Sequence, residues 1–288
     1  PRSTLFPYTT LFRSPFMKHS LAGVSLVRGV FESIQEEMRH RHGMIDNGFY
    51  AAAFRLAAFH LLEKSGVTSL LKAEIHRVVR RGDWLEGISV WVDGQEFVFT
   101  APIFVDATGD AQLLYLGEYP WACGDERTGN LQALTTFFTL GGIDLKKATD
   151  YVKSRKDDFL PWMDFAFEDS KIVSVAGYFS HLQEAKREKR MEEEVPYIFY
   201  TTLPSYGEAS FNTTNILSLG GCSSGDLTRA EWVGRRQIHA VVKLLQEEIP
   251  GFENAWLMES AVQVGVRETR RAIGDYVVTE EEIGRAHV

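Results

Sequence analysis

The run Ile103-Phe104-Val105-Asp106-Ala107-Thr108-Gly109-Asp110 limits this chain more than any other stretch. Apolar residues stop at a turn of small residues with an acid on either side. A short run of this kind, apolar at every position, is expected to form a parallel strand of an α/β sheet, buried on both faces. Ala107-Thr108-Gly109 then gives a backbone slim enough to lie against a ligand. Ligands of open α/β sheets sit outside the carboxyl ends of strands, and this turn is placed to be such an end. Taken alone, the block fits an ordinary strand-to-loop turn equally well.

The order of elements around it follows from periodicity. Val27, Val30, Phe31, Ile34 and Met38 recur at helical spacing, with Gly43 placed to stop the helix. A second helix is expected to be capped by Asp46 or Asn47, to bury Ala51, Phe54, Ala58, Leu61 and Leu62, and to end at Gly66. Val67–Leu71 reads as a short strand. Glu74–Val79, Leu85–Val92 and Glu96–Thr100 read as a meander turned at Gly82-Asp83 and Asp93-Gly94. From Leu131 onward, Leu134–Leu140, Tyr197–Leu203 and Ser210–Leu219 are rich in β-branched and aromatic residues and predict a second sheet. His181–Glu194 predicts a solvated helix. Thr228-x-x-Glu231 predicts a capping box that opens a helix running to about Glu248, with Pro250-Gly251 beyond it.

Composition excludes several classes of function. An apolar fraction of 44% supports a real core. A net charge of −8 and a pI near 5.6 argue against a nucleic-acid partner, whose phosphates need a basic surplus. No apolar run reaches the roughly 18 residues that span a bilayer, so no membrane partner is expected. Cys123 and Cys222 read as free thiols of a cytoplasmic protein. The histidines are scattered, and His40 and His42 would point to different sides of a helix, so no metal site is expected. Gly220–Gly225 has glycines at both ends, but Asp226-Leu227 follows where a phosphate loop needs Lys-Ser/Thr, so it reads as a plain loop. Asn212-Thr-Thr214 matches a glycosylation acceptor yet falls in an expected strand, which leaves Asn212 as a candidate substrate contact.

A later block, Gly265-Val-Arg-Glu-Thr-Arg-Arg-Ala-Ile-Gly-Asp-Tyr-Val-Val-Thr279, changes the weight of the first. Between the two lie Phe211-Asn-Thr-Thr-Asn215, Asp226-Leu-Thr-Arg-Ala-Glu231 and Gly234-Arg-Arg-Gln237. In this order the blocks resemble the FAD-dependent oxidoreductase family, from about Pro15 to about Glu282 and most weakly between Lys146 and Pro196. The resemblance implies an α/β fold: a partial FAD-binding, Rossmann-like domain of glutathione-reductase type over 15–130, with the meander, and an α+β cap or substrate domain over 131–264. Residues 265–282 would return toward the FAD domain. It implies FAD contacts at Glu74 and Ile75, by main chain beside the adenine, and at Ala107, Thr108, Gly109 and Asp110. The implied activity is hydride transfer between a small-molecule substrate and flavin. Arg267 is the candidate catalytic residue, because a permanent guanidinium clamps a carboxylate or stabilises developing negative charge. Arg270 and Arg271 compete for that role. If the block were helical, Arg267 and Arg271 would share a face, and a purely structural pairing with Glu268 or Asp275 is the alternative. An NAD(P)-binding dehydrogenase and a non-catalytic α/β binding module are the other readings; the meander before Ala107 favours FAD over NAD. Substrate identity and oligomeric state stay open.

Both ends read differently from the rest. Thr4–Ser14 and Ile283–Val288 resemble translated sequencing-library adapters. On this reading Pro1–Ser14 and Ile283–Val288 stand outside the fold. The chain would then be an internal piece of a longer enzyme, without the family's opening Gly-x-Gly-x-x-Gly turn, and inactive by itself.

Overall fold

In the computed structural model the described residues are 14–15, 20–21, 24–25 and 27–276, apart from 46–47, 162, 164–171 and 204–206. Pro1–Arg13 and Ile283–Val288 therefore lie outside the description, while Ser14–Pro15 pairs antiparallel with Gly48–Phe49. Helix α1 (Val30–His40) buries Met38 completely, and α2 (Ala51–Lys64) meets it with Ala53 and Ala57. The chain between them is tight because Gly43 has no side chain: a Cβ there would lie 2.1 Å from the Cβ of Ala53. Gly43 also donates its N–H to the Met38 carbonyl at 2.8 Å, so it stops α1 as its place in the sequence suggests. The cap of α2 is Tyr50; Asp46 and Asn47 lie outside the described residues. Gly66, with φ of +69°, follows the C-terminal end of α2 in the left-handed region.

Val67–Leu71 does not form the expected strand; its residues are exposed and no described strand lies beside it to take up its backbone groups. The meander forms as expected: β1 (Glu74–Arg81), β2 (Trp84–Val92) and β3 (Gln95–Thr100) pair in order, with Ile75 opposite Val90 and Val90 opposite Phe97. Asp93 and Gly94 carry φ of 49° and 79°, the two positive values that a two-residue hairpin turn demands. Ile103-Phe104-Val105 departs from the expectation. It forms no strand, and Ile103 and Val105 are 78% and 81% exposed. Every strand pairing among the described residues is antiparallel, so the run has no parallel neighbour to pair with.

After the short helix α3 (Gln112–Leu116) the chain builds a second sheet from β4 (Phe138–Gly141), β5 (Ser174–Gly177), β6 (Ile198–Leu203), β7 (Glu208–Phe211) and β8 (Trp256–Ser260), in the order β5-β6-β7-β4-β8. Helices α4 (Leu145–Ser154), α5 (Phe179–Arg187) and α6 (Ser224–Glu248) accompany it. This is where the main core sits. Phe138 and Phe211 stack at 4.7 Å between ring centroids, and the buried Tyr178 and Tyr200 hydroxyls satisfy one another at 2.9 Å. The strands are shorter than the sequence suggests, because Leu134 and Thr135 make only single bridges, to Ile216 and Gly265. Helix α6 starts a turn before Thr228: Ser223 caps it by accepting from the Asp226 N–H, while the Thr228 hydroxyl bonds back to the Ser224 carbonyl. No helix among the described residues is long and apolar enough to cross a membrane.

The glycine of the Gly234-Arg-Arg-Gln237 block has a packing role. A Cβ at Gly234 would lie 2.3 Å from the Thr136 hydroxyl and 3.3 Å from Ile216 Cδ1, so α6 can approach the Thr136 segment only without one. Gly234→Ala should therefore lower stability by about 1–3 kcal/mol through overpacking, outweighing the roughly 1 kcal/mol that alanine gains in a helix interior. Gly225, on the same helix, would place its Cβ 3.6 Å from Ser223 Oγ and nothing closer. Gly225→Ala should be neutral or slightly stabilising, and denaturant titration of the two variants side by side checks both signs.

Candidate active site

In the Asp106–Asp110 turn, Asp106 and Thr108 bond to nearby chain. Asp106 accepts from the Thr108 N–H at 3.1 Å and the Thr108 hydroxyl at 2.7 Å through one oxygen, and from the Leu113 N–H at 2.9 Å through the other. The Thr108 hydroxyl in turn accepts from the Gln112 N–H at 3.0 Å. The side chains are thus committed to holding the turn onto α3, and Ala107, Thr108 and Gly109 stay exposed. Gly109 has φ of +77°, and a Cβ added to it would meet nothing within 4 Å. Its free face opens onto space where a ligand can lie against bare backbone.

The Gly265–Arg271 segment, expected to place Arg267 and Arg271 on one helical face if helical, is not a helix, and it clamps that turn. The buried Thr269 hydroxyl donates to Asp110 Oδ1 at 2.8 Å, and Arg270 Nε donates to the Asp110 carbonyl at 3.0 Å. The Arg270 guanidinium also lies 4.3 Å over the Tyr115 ring, which adds a cation–π contact. Arg270 is thus engaged structurally. Glu268 holds a second loop: it accepts from the Gly124 N–H at 3.1 Å and the Gln132 N–H at 3.0 Å, and it pairs with Arg271 at 3.0 Å. The alternative of a structural pair with Glu268 therefore holds for Arg271 and not for Arg267.

Arg267 faces a cavity of about 510 Å³. Its Nη1 donates to the Ala133 carbonyl at 2.5 Å and its Nη2 to Asn212 Oδ1 at 3.0 Å. Among the described residues Arg267 forms no ion pair, and it is the one charged side chain lining the cavity. The residue counts as exposed because the cavity opens to solvent. The protein wall still removes enough water to push its pKa below the ordinary value, and nearby Tyr197 opposes that shift. Thr213 and Thr214, also on the lining, spend their hydroxyls on the backbone of Phe199 and Thr136. Asn212 Nδ2 and the Tyr197 hydroxyl have no partner among the described residues. Arg267 and Thr269 are two positions apart, a span of at most about 7 Å of chain, so cavity and turn are neighbours.

Glu74 and Ile75 sit on β1, an edge strand that bonds to β2 on one side only. Glu74 is exposed and Ile75 partly buried, and α3 packs against this strand. The structure thus brings Ala107–Asp110 and Arg267 together through Thr269, with Asn212, a weaker candidate, at the guanidinium itself. Sequence reasoning missed Tyr197 as a cavity residue, and it read Glu268 as a partner for an arginine without its bonds to Gly124 and Gln132. Tyr197 sits in a strand-rich stretch that gives it no local mark, whereas Glu268 lies inside the Gly265–Arg271 block and could have been read as a docking group.

The turn, its clamp and the cation-lined cavity sit together in a mixed α/β fold, with open backbone beside the cavity. The chain belongs to the FAD dependent oxidoreductase family, whose sequence model matches residues 8–288. No curated protein matches it. Among solved structures, the flavin-dependent brominase Bmp2 and a triple mutant of it align with TM-scores of 0.44 and 0.45 at 14% identity, over 77% of this chain. The chain spans 44–45% of the length of those structures.

Thr269 is the joint between the two motifs, so Thr269→Val should lower stability by about 1–2 kcal/mol, the loss of one buried hydrogen bond plus an acceptor left short. Thr269→Ser, which keeps the hydroxyl, should recover most of it. Equal denaturation midpoints for wild type and Thr269→Val would show that the Asp110 contact does not hold the segment.

Proposed function

We propose that this chain forms the flavin- and substrate-facing part of a cytoplasmic enzyme that passes a hydride between a small organic substrate and FAD. One observation carries the reading: the Gly109 turn, with bare backbone open on one side, is locked by Thr269 and Arg270 to the segment that holds Arg267 in a cavity. The residues present fit the cofactor on the same ground, since Gly109 leaves empty the space a side chain would fill. Main-chain groups of Ala107, Thr108, Gly109 and Asp110, with those of Glu74 and Ile75 on the open edge of β1, would hold FAD. When bound, FAD supplies the hydride acceptor or donor that no side chain can.

The protein's own part is orientation and charge. Arg267 would fix the substrate and stabilise negative charge that develops on it, helped by its partly desolvated setting. On this reading residues 15–130 carry the cofactor side, 131–264 cover the substrate, and 265–282 join the two. Two exposed free thiols, Cys123 and Cys222, suit a cytoplasmic setting.

Gly109→Val tests the cofactor contact. A β-branched side chain at φ of +77° is strained and would occupy the open face, so in the longer enzyme of which this chain is read as a piece FAD affinity should fall at least tenfold, read by titrating flavin fluorescence against wild type and variant. Unchanged affinity removes the turn from the cofactor site. Hydride transfer is tested separately in the same longer enzyme, by anaerobic bleaching of the flavin's visible absorbance with small organic donors, unlabelled or deuterated at the reacting carbon; bleaching without an isotope effect contradicts a rate-limiting hydride step.

A further inference from the structure

The polar groups around the cavity differ in whether the protein has already used them. Thr213 donates to the Phe199 carbonyl and accepts from its N–H, both at 2.9 Å, and Thr214 donates to the Thr136 carbonyl and accepts from its N–H. These hydroxyls are spent on the sheet. Arg267 is spent only in part. Two of its five N–H groups go to Ala133 and Asn212, and among the described residues no carboxylate balances its charge. A guanidinium partly stripped of water is stabilised by an anion, and none is supplied among the described residues.

The bond to Arg267 also fixes its neighbour. Because Arg267 Nη2 donates to Asn212 Oδ1 at 3.0 Å and the Thr135 hydroxyl lies 3.4 Å from the same oxygen, the amide oxygen faces the protein and its NH₂ group is turned the other way. That group is a donor without a partner among the described residues. The Tyr197 hydroxyl is unspent as well, and Pro196, Tyr197 and Phe199 give the same cavity an apolar wall. A volume of about 510 Å³ is ample for a small molecule.

We infer that the substrate of this site is a small organic carboxylate: its carboxyl group is held by Arg267 and Asn212 Nδ2, and its carbon skeleton lies on the Pro196–Phe199 wall. The inference rests on the proposed reading of the cavity as the substrate site, and it adds the charge of the substrate. The guanidinium supplies charge and a two-pronged donor geometry that suits a planar carboxylate. Charge complementarity here is local, because the chain as a whole carries −8 and does not attract anions at long range. A neutral substrate of the same shape would leave the cation unbalanced, and a cationic one would meet like charge.

The test uses the full 288-residue chain and two probes of nearly equal shape, fluorobenzoate and fluorobenzamide, with binding read by ligand-observed fluorine NMR. The acid should bind at least tenfold more tightly than the amide. Arg267→Gln should abolish that preference, and Arg267→Lys should keep part of it. Equal affinities, or tighter binding of the amide, overturn the carboxylate assignment while leaving flavin-dependent chemistry on a neutral substrate intact. No binding of either probe overturns it too, as does a preference that survives Arg267→Gln. Should Arg267→Gln fail to fold, the acid-to-amide ratio in the wild type and its loss in Asn212→Leu decide the matter.

Discussion

The candidate site depends on the hydrogen bonds that Thr269 and Arg270 make to Asp110, 159 and 160 residues away in sequence. Without them the Gly109 turn and the Arg267 cavity would be separate surface features. The contacts work because the Gly265–Arg271 segment is not helical and can face both ways. Thr269 reaches the turn, Arg267 reaches the cavity, and Glu268 is left to hold Gly124 and Gln132. Backbone donors bound to a carboxylate are the stronger class of hydrogen bond, so Glu268 organises the 124–132 loop at little cost in exposed surface.

Close backbone approach is the second constraint. Gly43 lets α1 and α2 meet, and Gly234 lets α6 come down on Thr136. Gly221 belongs to the same pattern, since a Cβ there would lie 2.3 Å from Val266 Cγ1, beside the segment that carries Arg267. Each of these glycines has neighbours that a methyl group would displace. Gly109 is the reverse case. Its Cβ position is empty, so the need for glycine there is set by φ and by whatever lies against the open face.

Much of this was legible in the sequence, and the misses share a cause. The meander was readable because alternation and the Asp93-Gly94 turn are local signals, and so were the helices α1 and α2; their stripes were read only in part, since Val27 and Val30 are exposed and α2 meets α1 through Ala53 and Ala57. The α/β class and the family followed from the order of the Asp106–Asp110, Phe211–Asn215, Asp226–Gln237 and Gly265–Thr279 blocks. Ile103–Val105 was misread as a paired strand because apolar content marks a segment that wants a partner, and no described strand supplies one. Arg267 and Arg271 have helical spacing on paper, yet tertiary contacts to Asp110 and Gln132 hold the segment out of a helix. Arg267 and Asn212 were both visible as candidates, 55 residues apart; that they touch could not be read from either block. Tyr197 had no signature at all, since its place in the cavity is set by β6 and not by its neighbours in sequence.

The central claim is that one surface, Ala107–Asp110 with the open edge of β1, meets the cofactor beside the Arg267 cavity. Amide hydrogen exchange of these segments in the longer enzyme of which the chain is read as a piece, with and without FAD, tests it most directly. Slowed exchange confined to segments containing 74–75 and 107–110, with lesser slowing across 265–271, is the predicted result. Protection that appears elsewhere and leaves 107–110 unchanged would contradict the account.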